Sequence, residues 1–218
     1  MKKNNKSASK TNNLKTKNKF YSKMGDITQK WVELLIPFIS NYGNKLFETE
    51  LSRLSNVPQQ TASRYLNLLV KQNILSYEWK GRNKIFYFDY SKQTTKIVLE
   101  ILENSKALAF QQKLSEISVI INEILKYSEA VIVFGSYASY SFDESSDLDM
   151  VIAGKFNKEE IKKIKQKQTL QINEHYISYE EFNKILRSKN PLALEILKNH
   201  VLFGNISKIV QIFIEVPK

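Results

Sequence analysis

The chain of 218 residues has no cysteine and only two histidines. The first absence excludes disulfides and thiolate metal sites and fits a reducing compartment, so a cytoplasmic location is expected. The second leaves little with which to build a zinc site. No run of about 18 apolar residues occurs, so no membrane span is expected. The opening MKKNNKSASK develops no apolar stretch of the kind a secretory signal needs. What remains is a hydrophobic fraction of 42%, enough for folded cores in one large domain or two small ones.

Acidic residues are also scarce, 22 against 33 Lys and Arg, giving a net charge of +11. Such a balance suggests polyanionic partners, nucleic acid or nucleotide phosphates. The charge is concentrated at one end. Residues 1–30 hold nine lysines against Asp26 and carry +8, which leaves +3 for the other 188 residues. Residues 1–26 are Lys, Asn, Ser and Thr with few apolar side chains, and they are expected to form a disordered basic tail.

Residues 27–92 read as a first domain. Trp31, Leu34, Leu35, Phe38 and Ile39 recur at helical spacing, with Pro37 inside the run. A short helix is expected from Phe47 to Leu54, and Pro58 is placed to open another that reaches about Gln72. Two strands follow, Ile74–Trp79 and Lys84–Tyr90, joined at Lys80-Gly81-Arg82-Asn83. This layout resembles the winged helix-turn-helix of the MarR- and ArsR-like regulators. The resemblance implies contact with double-stranded DNA, with Gln60, Thr61 and Arg64 on the recognition helix and Arg82 on the wing. Residues 93–127 read as a helical linker, one long helix or two stacked. Ile97, Ile101, Leu108, Leu114, Ile117, Ile121, Ile124 and Leu125 keep helical spacing there, suited to packing within the chain or to a homodimer seam.

From residue 128 the pattern changes. Ala130 to Phe134 is a short apolar run that reads as a buried strand, and it ends in Gly135-Ser136. Glycine allows a sharp turn and a close approach to a ligand, and the following N–H groups can face phosphate oxygens. Ten residues on come Ser146, Asp147 and Asp149. On a strand, the two-residue step puts both carboxylates on one face and Leu148, Met150 and Ile152 on the other. Paired carboxylates beside a phosphate cradle suit Mg²⁺ bound to a triphosphate.

Gly135, Ser136, Ala138, Ser146, Asp147 and Asp149 resemble the signature of the minimal nucleotidyltransferases of the DNA polymerase β superfamily. Tyr140 departs from it, where the family usually has glycine. The resemblance covers about residues 110–218 and implies an α+β chain of two domains, the second (128–218) a small mixed sheet with helices on one face. It implies transfer of a nucleoside monophosphate from an NTP, with ATP the expected substrate, to a macromolecular acceptor. Gly135, Ser136 and Ser146 would bind nucleotide, and Asp147 and Asp149 would hold the metal.

The family's third carboxylate is sought in Leu170 to Ile177. If Ile172 faces the core, the period of two sends Asn173 and His175 to the cleft. Glu174 takes the third catalytic place only in a shifted register. Asn173 there favours the alternative, a DNA-binding regulator or antitoxin whose nucleotide site binds nucleotide or a partner but turns over weakly or not at all. His175 as a base, and Lys158, Lys162, Lys163, Lys165 and Lys167 as a path for an anionic acceptor, complete the candidates. A protein acceptor or partner toxin is a further expected partner.

Overall fold

The computed structural model describes residues 29–40 and 42–216. The expectation for residues 1–26 lies outside them. The described residues open in helix α1 (29–39), with Pro37 within it. Strand β1 (Leu46–Phe47), helices α2 (Glu48–Ser55) and α3 (Gln59–Lys71), and the hairpin β2 (Ser76–Lys80) and β3 (Asn83–Tyr87) follow. The three strands form an antiparallel sheet in the order β1-β3-β2. Local chemistry sets these boundaries. The Phe47 N–H donates to Glu50 Oε2 at 2.8 Å and fixes the start of α2. Asn56, at φ 55°, ends it in the left-handed region. Gly81, at φ 63°, turns the hairpin so that Lys80 faces Asn83. Leu51, Leu66, Leu69 and Phe86 are buried against Leu35, Phe38 and Ile39 of α1. The two-residue β1, ahead of α2, carries no apolar run of its own and was not expected from the sequence.

The segment read as a linker forms two helices, α4 (Gln93–Lys113) and α5 (Ser115–Leu125), broken at Leu114, whose φ and ψ of −126° and 63° leave the helical region. On α4, the stripe read as suited to packing within the chain or to a homodimer seam does not pack within the chain. Ile97, Ile101 and Leu108 are half exposed, and Leu99, Leu102, Ala107 and Phe110 face inward. Both faces of α4 carry apolar residues, so spacing alone did not choose between them.

The remaining elements are β4 (Ser128–Phe134), α6 (Gly135–Ser139), β5 (Leu148–Phe156), α7 (Lys158–Lys165), β6 (Ile172–Ile177), α8 (Tyr179–Arg187), α9 (Pro191–Lys198), β7 (His200–Gly204) and α10 (Ile206–Glu215). Their sheet runs β6-β5-β4-β7, with β5 and β6 parallel and the other pairs antiparallel. The sheet is covered on both faces, which corrects the expectation of helices on one face. Leu148, Met150 and Ile152 pack with Ile121, Ile124 and Ile161 of α5 and α7. Val151, Ala153 and Ile132 pack with Phe182, Ile196 and Phe213 of α8, α9 and α10. The continuous apolar runs of β4 and β5 are what a strand buried on two sides requires. Ser178 accepts from the Glu181 N–H at 3.1 Å and returns its own N–H to the Glu181 carboxylate, closing a capping box on α8.

One buried polar cluster joins the two halves. The Tyr42 hydroxyl, just before β1, donates to Glu103 Oε1 of α4 at 2.8 Å, and the same oxygen lies 3.1 Å from His200 Nε2 of β7. Among the described residues no helix is long and apolar enough to cross a membrane.

Candidate functional site

Strand β4 ends at Phe134, and the chain turns at Gly135 with φ +67°, a backbone state that side chains disfavour. A Cβ placed there would stand 2.8 Å from Asp149 Oδ2. The turn therefore runs directly against one of the paired carboxylates, and only glycine leaves that space open. Ser136 follows in the first turn of α6, half-buried. Helix α6 stops at Tyr140, which takes φ 57°. The Tyr140 ring lies under Lys113 Nζ at 4.1 Å and 6.1 Å from Phe110.

The connection from Ser141 to Ser146 is held by its own polar groups. Asp143 Oδ1 accepts from the Ser145 N–H at 2.9 Å and the Ser145 hydroxyl at 2.8 Å. The Ser146 hydroxyl accepts from the Asp143 N–H at 2.9 Å and lies 3.1 Å from Asp143 Oδ1. Ser145's hydroxyl and N–H, then Ser146's hydroxyl, hold the Asp143 carboxyl below its ordinary pKa. Ser146, expected to touch nucleotide, has its hydroxyl engaged inside this loop. Beneath the loop, Tyr137 stacks on Phe142 with ring centroids 4.4 Å apart. Burial, then Asp143 and Asp147, raise the pKa of the Tyr137 phenol.

Asp147, just ahead of β5, and Asp149, within it, are both half-buried. The register of β6 against β5 pairs Asp149 with Asn173 and Met150 with Glu174. Asn173 Nδ2 donates to Asp147 Oδ2 at 3.1 Å and to Asp149 Oδ1 at 3.3 Å. The residue brought to the two aspartates is thus Asn173. Glu174, sought as a third carboxylate, points to the opposite face and accepts from Lys165 Nζ at 2.5 Å. The reason is that Ile172 is buried in the core, which fixes the alternation along the strand. His175 shares the Asn173 face, exposed, with its ring 6.2 Å from that of Phe134. Lys158, Lys162 and Lys165 line a hollow of about 650 Å³ with Glu174 and Tyr176, on the face of β6 away from the aspartates.

No group of three or more His, Cys, Asp or Glu side chains is arranged to hold a metal ion among the described residues. Two carboxylates drawn together by one amide, facing a turn with no Cβ, still provide the hard oxygen donors that a cation such as Mg²⁺ takes when phosphate oxygens share it. The donor set fits one such ion carried in with a triphosphate.

In the N-terminal half, a groove of about 450 Å³ lies between α3 and the hairpin. Gln59, Ser63 and Asn67 line it from α3, and Trp79, Arg82 and Lys84 from the hairpin. Arg82 is therefore brought to the groove. Gln60, Thr61 and Arg64 do not line it; Arg64 borders a neighbouring hollow with Tyr65, Asn67 and Lys71. Gln59, Ser63 and Asn67 recur at four-residue steps, a polar stripe that marks one helix face and was legible in the sequence.

Residues 114–213 match the family model of the nucleotidyltransferase domain. The match spans β4 to β7 and takes in Gly135, Asp147, Asp149 and Asn173. It supports a member of the nucleotidyltransferase superfamily and general nucleotidyl transfer. No curated protein and no solved structure matches the chain.

Proposed function

We propose that the chain binds a nucleoside triphosphate with Mg²⁺ at Asp147 and Asp149 and transfers its nucleoside monophosphate to a macromolecular acceptor, ATP being the expected donor. The observation that carries this reading is the pairing of both carboxylates in front of Gly135, within the matched domain. A cation bound there supplies charge neutralisation for the phosphates and the attacking oxygen. The chain's own contribution is positional. Gly135 leaves room for the phosphates, Ser136 and the backbone amides of its turn offer donors, and Asp147 and Asp149 define where the charge sits. The acceptor oxygen bonds to the α-phosphorus as the bond to pyrophosphate breaks. The winged helix-turn-helix reading of residues 27–92 belongs to the same proposal. The strand order β1-β3-β2 and the groove holding Arg82 support duplex DNA as its ligand.

Asn173 favours a second reading. With an amide where a carboxylate would take the acceptor's proton, the protein acts as a DNA-binding regulator or antitoxin that binds nucleotide or a partner and turns over slowly or not at all. Incubation with labelled ATP, CTP, GTP or UTP, Mg²⁺ and cell extract separates the two. Label transfer abolished in Asp147→Ala supports the enzyme. Nucleotide binding without transfer, together with salt-sensitive duplex binding, supports the regulator. Absence of nucleotide binding sinks the enzyme and leaves only a regulator whose domain holds a partner.

A further inference from the structure

We infer that Asn173 restricts the aspartate pair to a single divalent cation and, without that ion, takes the ion's place between the two carboxylates. The inference rests on the metal–nucleotide reading of this site and adds its stoichiometry.

Asp147 and Asp149 carry two negative charges side by side, and such charges repel unless something positive lies between them. The Asn173 amide nitrogen fills that role, 3.1 Å from one carboxylate and 3.3 Å from the other. Its two hydrogens satisfy one oxygen of each, so a neutral donor does part of what a cation would do. The arrangement follows from the register that sets Asn173 opposite Asp149. The neighbouring acid Glu174 is turned to the other face and engaged by Lys165 at 2.5 Å, so it does not compete for this position.

A cation entering between the aspartates displaces those N–H bonds. The amide then has one useful option, which is to rotate and offer its carbonyl oxygen as a neutral ligand. Two aspartates and one neutral oxygen balance the charge of one divalent ion. In sites that hold two such ions, about 4 Å apart, their mutual repulsion is offset by carboxylates lying between them. Here that third charge is missing, and no group of three His, Cys, Asp or Glu side chains is placed to hold a metal ion among the described residues. Asn173 thus lowers the affinity for the first ion and removes the place for a second.

The test is Mn²⁺ titration of the full chain, by calorimetry and by electron paramagnetic resonance. It is run with and without the α,β-methylene analogue of ATP, and compared with Asn173→Asp. One Mn²⁺ per native chain in the presence of the analogue is expected. Asn173→Asp should bind one ion more and hold the first at least about tenfold more tightly. Two ions on the native chain overturn the inference, as does an Asn173→Asp variant with no ion beyond the native count. Should the native chain fail to bind the analogue, the metal–nucleotide reading falls. The inference is then decided by the analogue-free titration, where the aspartate variant must still gain an ion. If Asn173→Asp does not fold, the native ion count alone decides.

Discussion

His200 Nε2 lies 3.1 Å from Glu103 Oε1, and neither side chain has any exposed surface. His200 Nδ1 faces the Ile196 carbonyl at 2.7 Å, so both ring nitrogens point at oxygens. Burial pushes the Glu103 carboxyl upward. The His200 ring, Lys106 and the Tyr42 hydroxyl outweigh that push and hold it below its ordinary value of 4.5. A depressed carboxylate stabilises the fold above its unfolded pKa, and that contribution fades as pH falls through the native value. Removing one partner of a buried pair costs about 3–5 kcal/mol. Glu103→Gln should therefore unfold at lower urea than the native chain at pH 7, by about 3 kcal/mol. The gap should narrow steadily below pH about 4.5, the ordinary value that Glu103 departs from. A gap that stays constant with pH contradicts this assignment.

Gly135→Ala tests the cradle. The added methyl meets Asp149 Oδ2 at 2.8 Å on a backbone that already disfavours a side chain. The backbone term alone costs about 1 kcal/mol. The larger effect is on the site, because Asp149 must move. A fall in triphosphate affinity of at least about tenfold is expected from displacing one carboxylate by a fraction of an ångström. Calorimetry with ATP and Mg²⁺ measures it, and unchanged affinity would mean that Gly135 is only a turn.

Tyr140 poses the opposite question, a large residue where the backbone wants none. At φ 57° it carries the left-handed penalty, offset by Lys113 over its ring at 4.1 Å. Both Tyr140→Gly and Tyr140→Ala lose the ring, but only glycine is free of the backbone cost. The glycine variant should be the more stable of the two by about 1 kcal/mol in urea unfolding. Equal stabilities would show that this turn relaxes when the ring is gone.

These sites differ in how far the sequence discloses them. Gly135, Asp147 and Asp149 are legible because their chemistry is local: a strand end, a turn and a two-residue step. The place of Asn173 needs a register, and six residues containing one firmly buried position, Ile172, allow more than one until the core chooses. The Tyr42–Glu103–His200 cluster leaves no local trace, since its partners are 61 and 97 residues apart. Burial on both faces of the second sheet is written in the apolar runs of β4 and β5, yet those runs do not say which helices supply the cover. On α4, likewise, two apolar faces compete, and the sequence does not mark Ile97, Ile101 and Leu108 as the exposed one.

The proposed duplex contact is open to the same scrutiny, because α3 presents two faces. Arg82 lines the groove with Gln59, Ser63 and Asn67, whereas Arg64 stands over the Tyr65 ring at 5.3 Å on the adjoining face. Asn67 borders both hollows and accepts from Lys84 Nζ at 3.0 Å, so its amide is already oriented by the hairpin. If DNA enters the groove, Arg82→Ala removes one phosphate contact and lowers the slope of log K against log salt by about 1. Asn67→Ala instead relaxes sequence preference, by about 1–3 kcal/mol at one base pair, with little change in that slope. Arg64→Ala then leaves both quantities close to native. Fluorescence anisotropy on a selected duplex across a salt series distinguishes the faces. A slope that responds to Arg64 and not to Arg82 moves the contact to the neighbouring face, and a slope that responds to neither removes duplex DNA as the ligand of this half of the chain.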